Sequence, residues 1–335
     1  MLDLHRLKRL RLTGRPVSQR IFGRLLHANY HWLPGVDLRT EGEENLPPAP
    51  VIFAMNHTDR YNYWPFQYMI WKNHGRFTAA WVKGKYYESR LLAQFMERML
   101  QMPTVSRGYL ITKDFQSVMK RTPTDQEYAL LRGVVDRRAA GEDVPLPEPP
   151  DVPEMLLRKP RNPLGMPFDP AERDYADYVC DLFHAMMARF VELNEEARDL
   201  GVDLLIFPQG TRSIRLLPSH IGIAQIALHL RIPIVPVGCN GSEALYPGGS
   251  PFAKSGTVTY RIGEPIPYEE LTPFHIAEDY APFSGTAERD HGKAFRGVAE
   301  LVTDRIEPLL DPPYQRAEHA QLTEGEENRG ADRFV

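Results

Sequence analysis

Short apolar runs alternate along the chain with longer stretches in which apolar residues recur every three or four positions. The runs at 51–55, 76–83, 204–207, 232–238 and 257–262 have the length and composition of strands. Apolar residues at helical spacing occupy 63–72, 86–100 and 219–230. This alternation predicts an α/β fold, a mostly parallel sheet flanked by helices on both faces.

One of the predicted helices has a clear apolar stripe in the sequence. In the stretch 86–100 the stripe consists of Leu91, Leu92, Phe95, Met96 and Met99. The aromatic-rich stretch 63–72 predicts either core residues or the wall of a groove for an apolar ligand.

Basic side chains dominate the first 34 residues, where leucines and other apolar residues again recur at helical spacing. Gly14 and Pro16 divide this segment into two predicted short helices. The basic residues include Arg6, Lys8, Arg9 and Arg11. A basic amphipathic pair of this kind is typical of a segment that lies on a membrane surface, with cations against anionic head groups. The alternative is an ordinary packed helix pair with a solvated basic face.

The remaining sequence divides into one domain and a tail. A single domain is expected at 35–311, with a long insertion at 111–175. The insertion is either a lid or a subdomain that selects the substrate, or a surface layer over the sheet. The polar stretch 312–335 is expected to be a disordered tail.

The insertion contains its own start and stop signals. Thr-Asp-Gln-Glu at 124–127 is a capping-box pattern, which predicts a helix to about Ala140. The proline-rich stretch 141–170 predicts extended chain on the surface. Asp169, followed by a proline, predicts the start of a long helix that ends near Gly201.

Composition and charge exclude several classes of protein. The 335 residues carry a net charge of -4 with a pI near 6.3, which argues against nucleic acid as the main partner. The two cysteines, Cys180 and Cys239, form no CxxC pair, so no metal site or disulfide framework is expected. No apolar run reaches the roughly 20 residues of a membrane span, and the basic first segment lacks the apolar core of a signal peptide. A cytoplasmic protein, attached peripherally to the cytoplasmic face of a membrane, is therefore expected.

The candidate chemistry is concentrated where the first buried run ends. Val51 to Met55 lead directly into Asn-His-Thr-Asp-Arg-Tyr-Asn, which contains His57, Asp59 and Asn62. A histidine can remove a proton from a hydroxyl group and return it later, provided that a second group holds the ring in one tautomer. Asp59 and Asn62 are both candidates for that second group. A satisfied loop or core histidine is the alternative interpretation.

Three later stretches add to this pattern. Phe-Pro-Gln-Gly-Thr-Arg at 207–212 follows a buried run and contains Gln209, Gly210, Thr211 and Arg212. Lys85 and Arg107 lie in a basic stretch between 83 and 108, and an apolar Ile-Pro-Ile-Val-Pro-Val run occupies 232–237.

In this order, the four stretches resemble the sequence blocks of the lysophospholipid acyltransferase family, the 1-acylglycerol-3-phosphate acyltransferases and other glycerolipid acyltransferases. The resemblance implies transfer of a fatty acyl group from acyl-CoA or acyl carrier protein, as co-substrate, to the hydroxyl group of a lysophospholipid or related lipid. It implies that His57 is the general base and that no cofactor or metal takes part. Arg107 and Arg212 match the family positions that contact phosphate, and Lys85, Gln209, Gly210 and Thr211 belong to the same acceptor-binding blocks. The backbone N–H groups of Gly210 and Thr211 are also candidates to stabilise the oxyanion of the reaction.

Two positions depart from the family pattern. Asn62 stands where the family has aspartate, and Gln209 stands where it has glutamate. Both changes keep the size and one hydrogen-bond acceptor but remove a negative charge. The alternative hypothesis is therefore a catalytically weak or inactive protein of the same fold that binds lipid or acyl-CoA.

Overall fold

A seven-stranded sheet lies at the centre of the computed structural model, which describes residues 1–32 and 35–316. Its strands are β1 Val36–Glu41, β2 Ile52–Met55, β3 Thr78–Lys83, β4 Gln101–Thr104, β5 Asp203–Ile206, β6 Ile234–Asn240 and β7 Gly256–Ile262. They are ordered β1-β7-β6-β2-β5-β3-β4, and all neighbours are parallel except β6 and β7. The predicted mostly parallel sheet is confirmed.

The short connection between β6 and β7 explains why these two strands are antiparallel. Only the four-residue helix α10, Ser242–Leu245, and a loop separate β6 from β7. An antiparallel neighbour needs no long crossover, whereas a parallel one usually needs a helix to return the chain. The carboxyl ends of the adjacent strands β2, β5, β3 and β4 all meet at one edge of the sheet.

Helices cover both faces of the sheet, as predicted. The longer ones are α1 Leu4–Arg9, α2 Val17–His31, α3 Tyr63–His74, α4 Arg90–Arg98, α5 Arg107–Met119, α6 Asp125–Ala139, α7 Glu154–Arg158, α8 Tyr175–Asp199, α9 Gly222–Leu230 and α11 Gly285–Ile306. Successive strand residues point to opposite faces, so Phe53 packs with residues of α2 and α3, while Ile52 packs with residues of α8, α9 and α11. The sequence pattern did not predict α5, α7, α11 or β4.

The insertion packs against the helices on one face of the sheet, where α6 contacts α5 and α8. Thr124 and Glu127 form the expected capping box of α6. The long helix α8 starts at Tyr175 with Asp174 as its cap, so the predicted start at Asp169 was wrong. Asp169 instead accepts a hydrogen bond from the nearby backbone N–H of Ala171. The expected boundary at 111 lies inside α5.

A buried ion pair ties the proline-rich stretch to α5. Arg161 Nη2 lies 2.6 Å from Asp114 Oδ2, and the side chain of Asp114 is fully buried. The guanidinium of Arg161 also lies 4.4 Å from the ring centroid of Phe168. The stretch also contains the short helix α7, so the prediction of extended surface chain throughout 141–170 was wrong.

The first 32 residues form the two predicted helices, with Pro16 at the cap of α2. Leu4 and Leu7 of α1 are buried in the protein core, so the apolar face of this helix is not available to a membrane. None of the helices in the described ranges is long and apolar enough to cross a bilayer.

Two further predictions need detail from the structure. The apolar stripe predicted for 86–100 is only partly buried, because Leu91 is 81% exposed and Leu92 is also exposed. The expected tail begins too early, since Tyr314 is buried and its hydroxyl group accepts a hydrogen bond from the backbone of Gly241. Residues 317–335 of the predicted tail lie outside the described residues.

Candidate functional site

His57 follows β2 at the sheet edge where the carboxyl ends of the parallel strands meet, a common position for ligand sites in α/β folds. Its backbone N–H donates to Gln209 Oε1 at 2.9 Å, and its carbonyl accepts from the backbone N–H of Ser213 at 2.8 Å. Its ring stacks on Phe207 with centroids 4.0 Å apart. The loop after β5 therefore fixes both the backbone and the ring plane of His57.

Asn62 is the polar partner of the His57 ring. Its Oδ1 lies 3.0 Å from His57 Nδ1, while its Nδ2 donates to the carbonyl of Asn56 at 2.9 Å. Because a carbonyl only accepts, the second bond fixes the orientation of the amide, and Oδ1 must face the histidine. His57 Nδ1 is then the protonated nitrogen, and Nε2 is left with the lone pair that a base requires.

The surroundings of His57 keep its ring neutral. Burial is the main reason that the pKa of His57 is lowered to about 3, and the positive charges of Arg212 and Lys83 add to the lowering. The hydrogen bond with Asn62 opposes this shift by raising the pKa. Nε2 is therefore unprotonated throughout the neutral pH range.

Asp59 does not supply a carboxylate to the histidine. Its Oδ1 accepts from the backbone N–H of Tyr61 at 2.7 Å, and its Oδ2 accepts from the hydroxyl group of Thr58 at 3.1 Å. This is an Asx turn at the strand end. Asp59 thus shapes the loop that carries His57 and Asn62.

Gln209 also acts on the backbone of the site and does not contact the cavity. Its side chain is 2% exposed and is occupied by the N–H of His57 and the carbonyl of Arg215. Gly210 has a positive φ of 67°, and a Cβ at this position would lie 2.6 Å from His220 Cδ2. Glycine is therefore required at this turn. Its N–H donates to the carbonyl of Phe207, which leaves the N–H of Thr211 as the better candidate oxyanion donor.

A cavity of about 480 Å³ opens at His57 and is largely apolar. Its aromatic wall includes Tyr61, Tyr63, Trp64, Trp81, Tyr86 and Phe95. Met96, Val82 and Phe207 add further apolar surface. Trp81 is held by a hydrogen bond of 2.8 Å from its indole N–H to Asn194 of α8. Helix α8 thereby supports one wall of the cavity, which has the size and lining of a site for an apolar ligand.

Basic side chains line the same cavity. They are Arg60, Lys83, Lys85 and Arg212. Burial lowers the pKa of Lys85, and Arg212 and Arg60 lower it further because their positive charges lie nearby. Within the ranges that the structure describes, Arg212 makes no hydrogen bond or ion pair with the protein. The arrangement suits an anionic group next to His57. Arg60, Trp81 and Phe207 were not singled out as site residues from the sequence.

Arg107 does not lie at this site. It is the first residue of α5, its guanidinium lies 4.6 Å from the ring centroid of Phe183 on α8, and Asp136 of α6 is 3.9 Å away. These contacts link helices α5, α6 and α8. The predicted phosphate contact of Arg107 is therefore not supported by its position, whereas Lys85, Gly210, Thr211 and Arg212 do line the cavity.

Comparison with known proteins identifies relatives with one shared activity. The chain is 34% identical over 88 residues to human 1-acyl-sn-glycerol-3-phosphate acyltransferase beta, an alignment that covers 26% of this chain and 32% of the relative. It is 38% identical over 68 residues to the 1-acyl-sn-glycerol-3-phosphate acyltransferase of Cocos nucifera, covering 20% of this chain and 22% of the relative. The resemblance to the lysophospholipid acyltransferase family is confirmed.

The matches to the lysophospholipid acyltransferase family are partial in length. The chain spans about a third or less of the curated relatives, and no family model matches it. The solved structure of the 1-acyl-sn-glycerophosphate acyltransferase PlsC from Thermotoga maritima aligns with 87% of this chain and 79% of that chain, at 16% identity and a TM-score of 0.41.

Proposed function

We propose that the protein is an O-acyltransferase that moves a fatty acyl group from a thioester donor to the hydroxyl group of a lysophospholipid such as lysophosphatidic acid. The observation that carries this proposal is the position of His57, which lines a largely apolar cavity together with four basic side chains. The names of the relatives favour the same reaction. A coenzyme A thioester and an acyl carrier protein thioester both fit the chemistry at this stage.

In the proposed reaction, His57 Nε2 accepts the proton of the acceptor hydroxyl while its oxygen attacks the thioester carbonyl. The N–H of Thr211 stabilises the oxyanion that forms. Collapse of this intermediate breaks the C–S bond, and the departing thiolate takes the proton from the imidazolium. The products are an ester and a thiol, so the atoms and charges balance without a further reactant.

Arg212, Lys83 and Lys85 bind the phosphate of the acceptor in this proposal. A bound phosphate also offsets the positive charges that lower the pKa of His57. The acceptor therefore makes the histidine a stronger base when it binds. An acceptor without phosphate lacks this effect, which gives a physical reason for selecting a phosphorylated lipid.

The proposed contact with the membrane lies on α2 and α4. Val17, Ile21 and Leu25 are spaced four residues apart on one exposed face of α2. Phe22 of the same helix contacts Phe95 of α4 with centroids 5.5 Å apart, and Phe95 lines the cavity. Apolar residues that flank the cavity in this way suit a lipid substrate that enters from a bilayer.

The decisive experiment measures thiol release from long-chain acyl-CoA, and from acyl carrier protein thioester, with lysophosphatidic acid as acceptor. His57→Ala should abolish release, whereas His275→Ala, an exposed histidine outside the cavity, should not change it. Monoacylglycerol, which lacks the phosphate, should be a much poorer acceptor. Full activity in His57→Ala rules out the proposed base.

The lipid-binding alternative predicts a different result in the same experiment. Lysolipid or acyl-CoA then binds with measurable affinity, but neither donor releases thiol with any acceptor. Membrane contact is tested separately by sedimentation with anionic vesicles. Ile21→Asp with Leu25→Asp should reduce binding, while Met155→Asp, an exposed residue of α7, should not. Equal binding by both variants excludes the α2 surface.

A further inference from the structure

A second basic site lies between α1 and α4, separate from the cavity at His57. Its side chains include Arg6, Arg9, Arg11, Arg90, Gln94 and Glu97, and its volume is about 670 Å³. With four arginines and one glutamate, these side chains carry an excess of three positive charges. We call this site the arginine cleft.

The arginine cleft has guanidinium groups available for a ligand. Glu97 Oε1 is engaged by Arg6 at 2.8 Å, and one nitrogen of Arg11 donates to two backbone carbonyls at 2.7 Å. In the part of the chain that the structure describes, the side chains of Arg9 and Arg90 form neither a hydrogen bond nor an ion pair. Because like charges that line one site repel one another, a bound anion would be favoured there.

Helix α4 lies between the arginine cleft and the cavity and contributes one face to each. Arg90 and Gln94 lie one turn apart on the face of α4 toward α1, whereas Leu92 and Phe95 lie on the face that lines the cavity. An α-helix with its side chains is about 10 Å across. A ligand that reaches from the cavity to the arginine cleft therefore needs an apolar end, an extended arm of at least this length and a multiply charged anionic end.

A coenzyme A thioester has these three parts in this order. Its acyl chain is apolar, its pantetheine arm is longer than the width of a helix, and its nucleotide end carries a diphosphate and a further phosphate group. We propose that the arginine cleft binds the phosphates of a coenzyme A donor while the thioester lies at His57. This inference rests on the proposed function and adds the identity of the donor. A cleft between two helices favours a small charged group over the broad surface of a carrier protein.

The test is a binding measurement that needs no turnover. Free coenzyme A and 3′,5′-adenosine diphosphate are titrated calorimetrically into the full chain and into an Arg9→Gln/Arg90→Gln variant. Each lost charge-assisted contact should weaken binding about tenfold, so the double variant should bind about 100-fold more weakly. The matched control is Arg137→Gln/Arg296→Gln, which removes the same charge from exposed positions on α6 and α11. The control should bind as tightly as the wild type.

Other outcomes overturn the inference in distinct ways. Equal binding of coenzyme A by the double variant excludes the arginine cleft. If coenzyme A does not bind but anionic vesicles do, and the same two arginines are needed, the cleft binds lipid head groups. If only acyl carrier protein binds through these arginines, the donor assignment is wrong. Loss of binding in the double variant supports the cleft even if no thiol release is found, so failure of the proposed function remains distinguishable.

Discussion

Replacing Asn62 with aspartate tests how the partner of His57 sets the properties of the base. In the structure, Asn62 Oδ1 lies 3.0 Å from Nδ1 of the ring and Nδ2 lies 2.9 Å from the carbonyl of Asn56. A carboxylate of the same size keeps the first contact and makes it charge-assisted. At the second contact, a carboxylate oxygen would face the carbonyl oxygen of Asn56, and neither atom can donate a hydrogen bond.

These two changes have opposite consequences. Loss of the amide donor leaves the carbonyl of Asn56 without its partner, which costs about 1–3 kcal/mol of unfolding free energy. A negative charge beside the ring raises the pKa of His57 by roughly 1–3 units, from about 3 to about 4–6. Asn62→Asp should therefore be less stable than the wild type but contain a stronger base.

The assay is the pH dependence of kcat/KM, which reports the free enzyme, together with urea denaturation. The acid limb of the pH profile of kcat/KM should move to higher pH in Asn62→Asp, because the pKa of His57 is raised. Asn45→Asp is the matched control, because Asn45 also donates its amide to a carbonyl, that of Ile262, at 2.9 Å. It should lose stability without moving the acid limb. An unchanged acid limb in Asn62→Asp refutes the assigned ring contact, and unchanged stability refutes the assigned amide orientation.

Three further predictions concern pH, the anion site and the insertion. Because the pKa of His57 is lowered to about 3 in the folded protein and is near 6.5 when unfolded, this residue should destabilise the protein by at most about 2 kcal/mol as pH falls from 7 to 5. Urea denaturation at both pH values should show a smaller loss in His57→Gln, and an equal loss contradicts the low pKa. Arg212→Gln should raise the KM for lysophosphatidic acid about tenfold in steady-state assays, whereas Arg215→Gln in the same loop should not; equal KM values exclude the phosphate contact. Arg161→Met leaves the buried carboxylate of Asp114 unpaired and should cost about 3–5 kcal/mol in thermal or urea unfolding, and Arg161→Met with Asp114→Leu should recover much of this loss. A wild-type unfolding curve for the single variant contradicts a structural role of the pair.

Local sequence patterns were sufficient to predict a strand or a helix start when the deciding interactions lie within that element. The apolar run before His57 predicted a buried strand, because a strand that is covered on both faces has apolar residues at every position and can be recognised from that run alone. The capping box at Thr124 and Glu127 predicted the start of α6 for the same reason, since all its hydrogen bonds lie within four residues. The order of the four sequence blocks also indicated the resemblance to the lysophospholipid acyltransferase family.

Contacts between distant segments decided what the local patterns left open. The sequence offered both Asp59 and Asn62 as partners of His57, and only the curvature of the loop shows that Asn62 contacts the ring. Arg107 follows β4 and matches a family block, yet the packing of α5 against α8 directs it away from the cavity.

The same distinction explains the errors in the helical segments. Leu4 and Leu7 of α1 have the pattern of a membrane-facing helix, but the long helix α8 passes beneath them and buries that face. Leu91 has the pattern of a core residue, but no segment covers it in the described structure. The sequence determines which side chains form an apolar face, because helical spacing is local. The tertiary structure decides whether protein, ligand or lipid covers that face, because its neighbours come from distant parts of the chain.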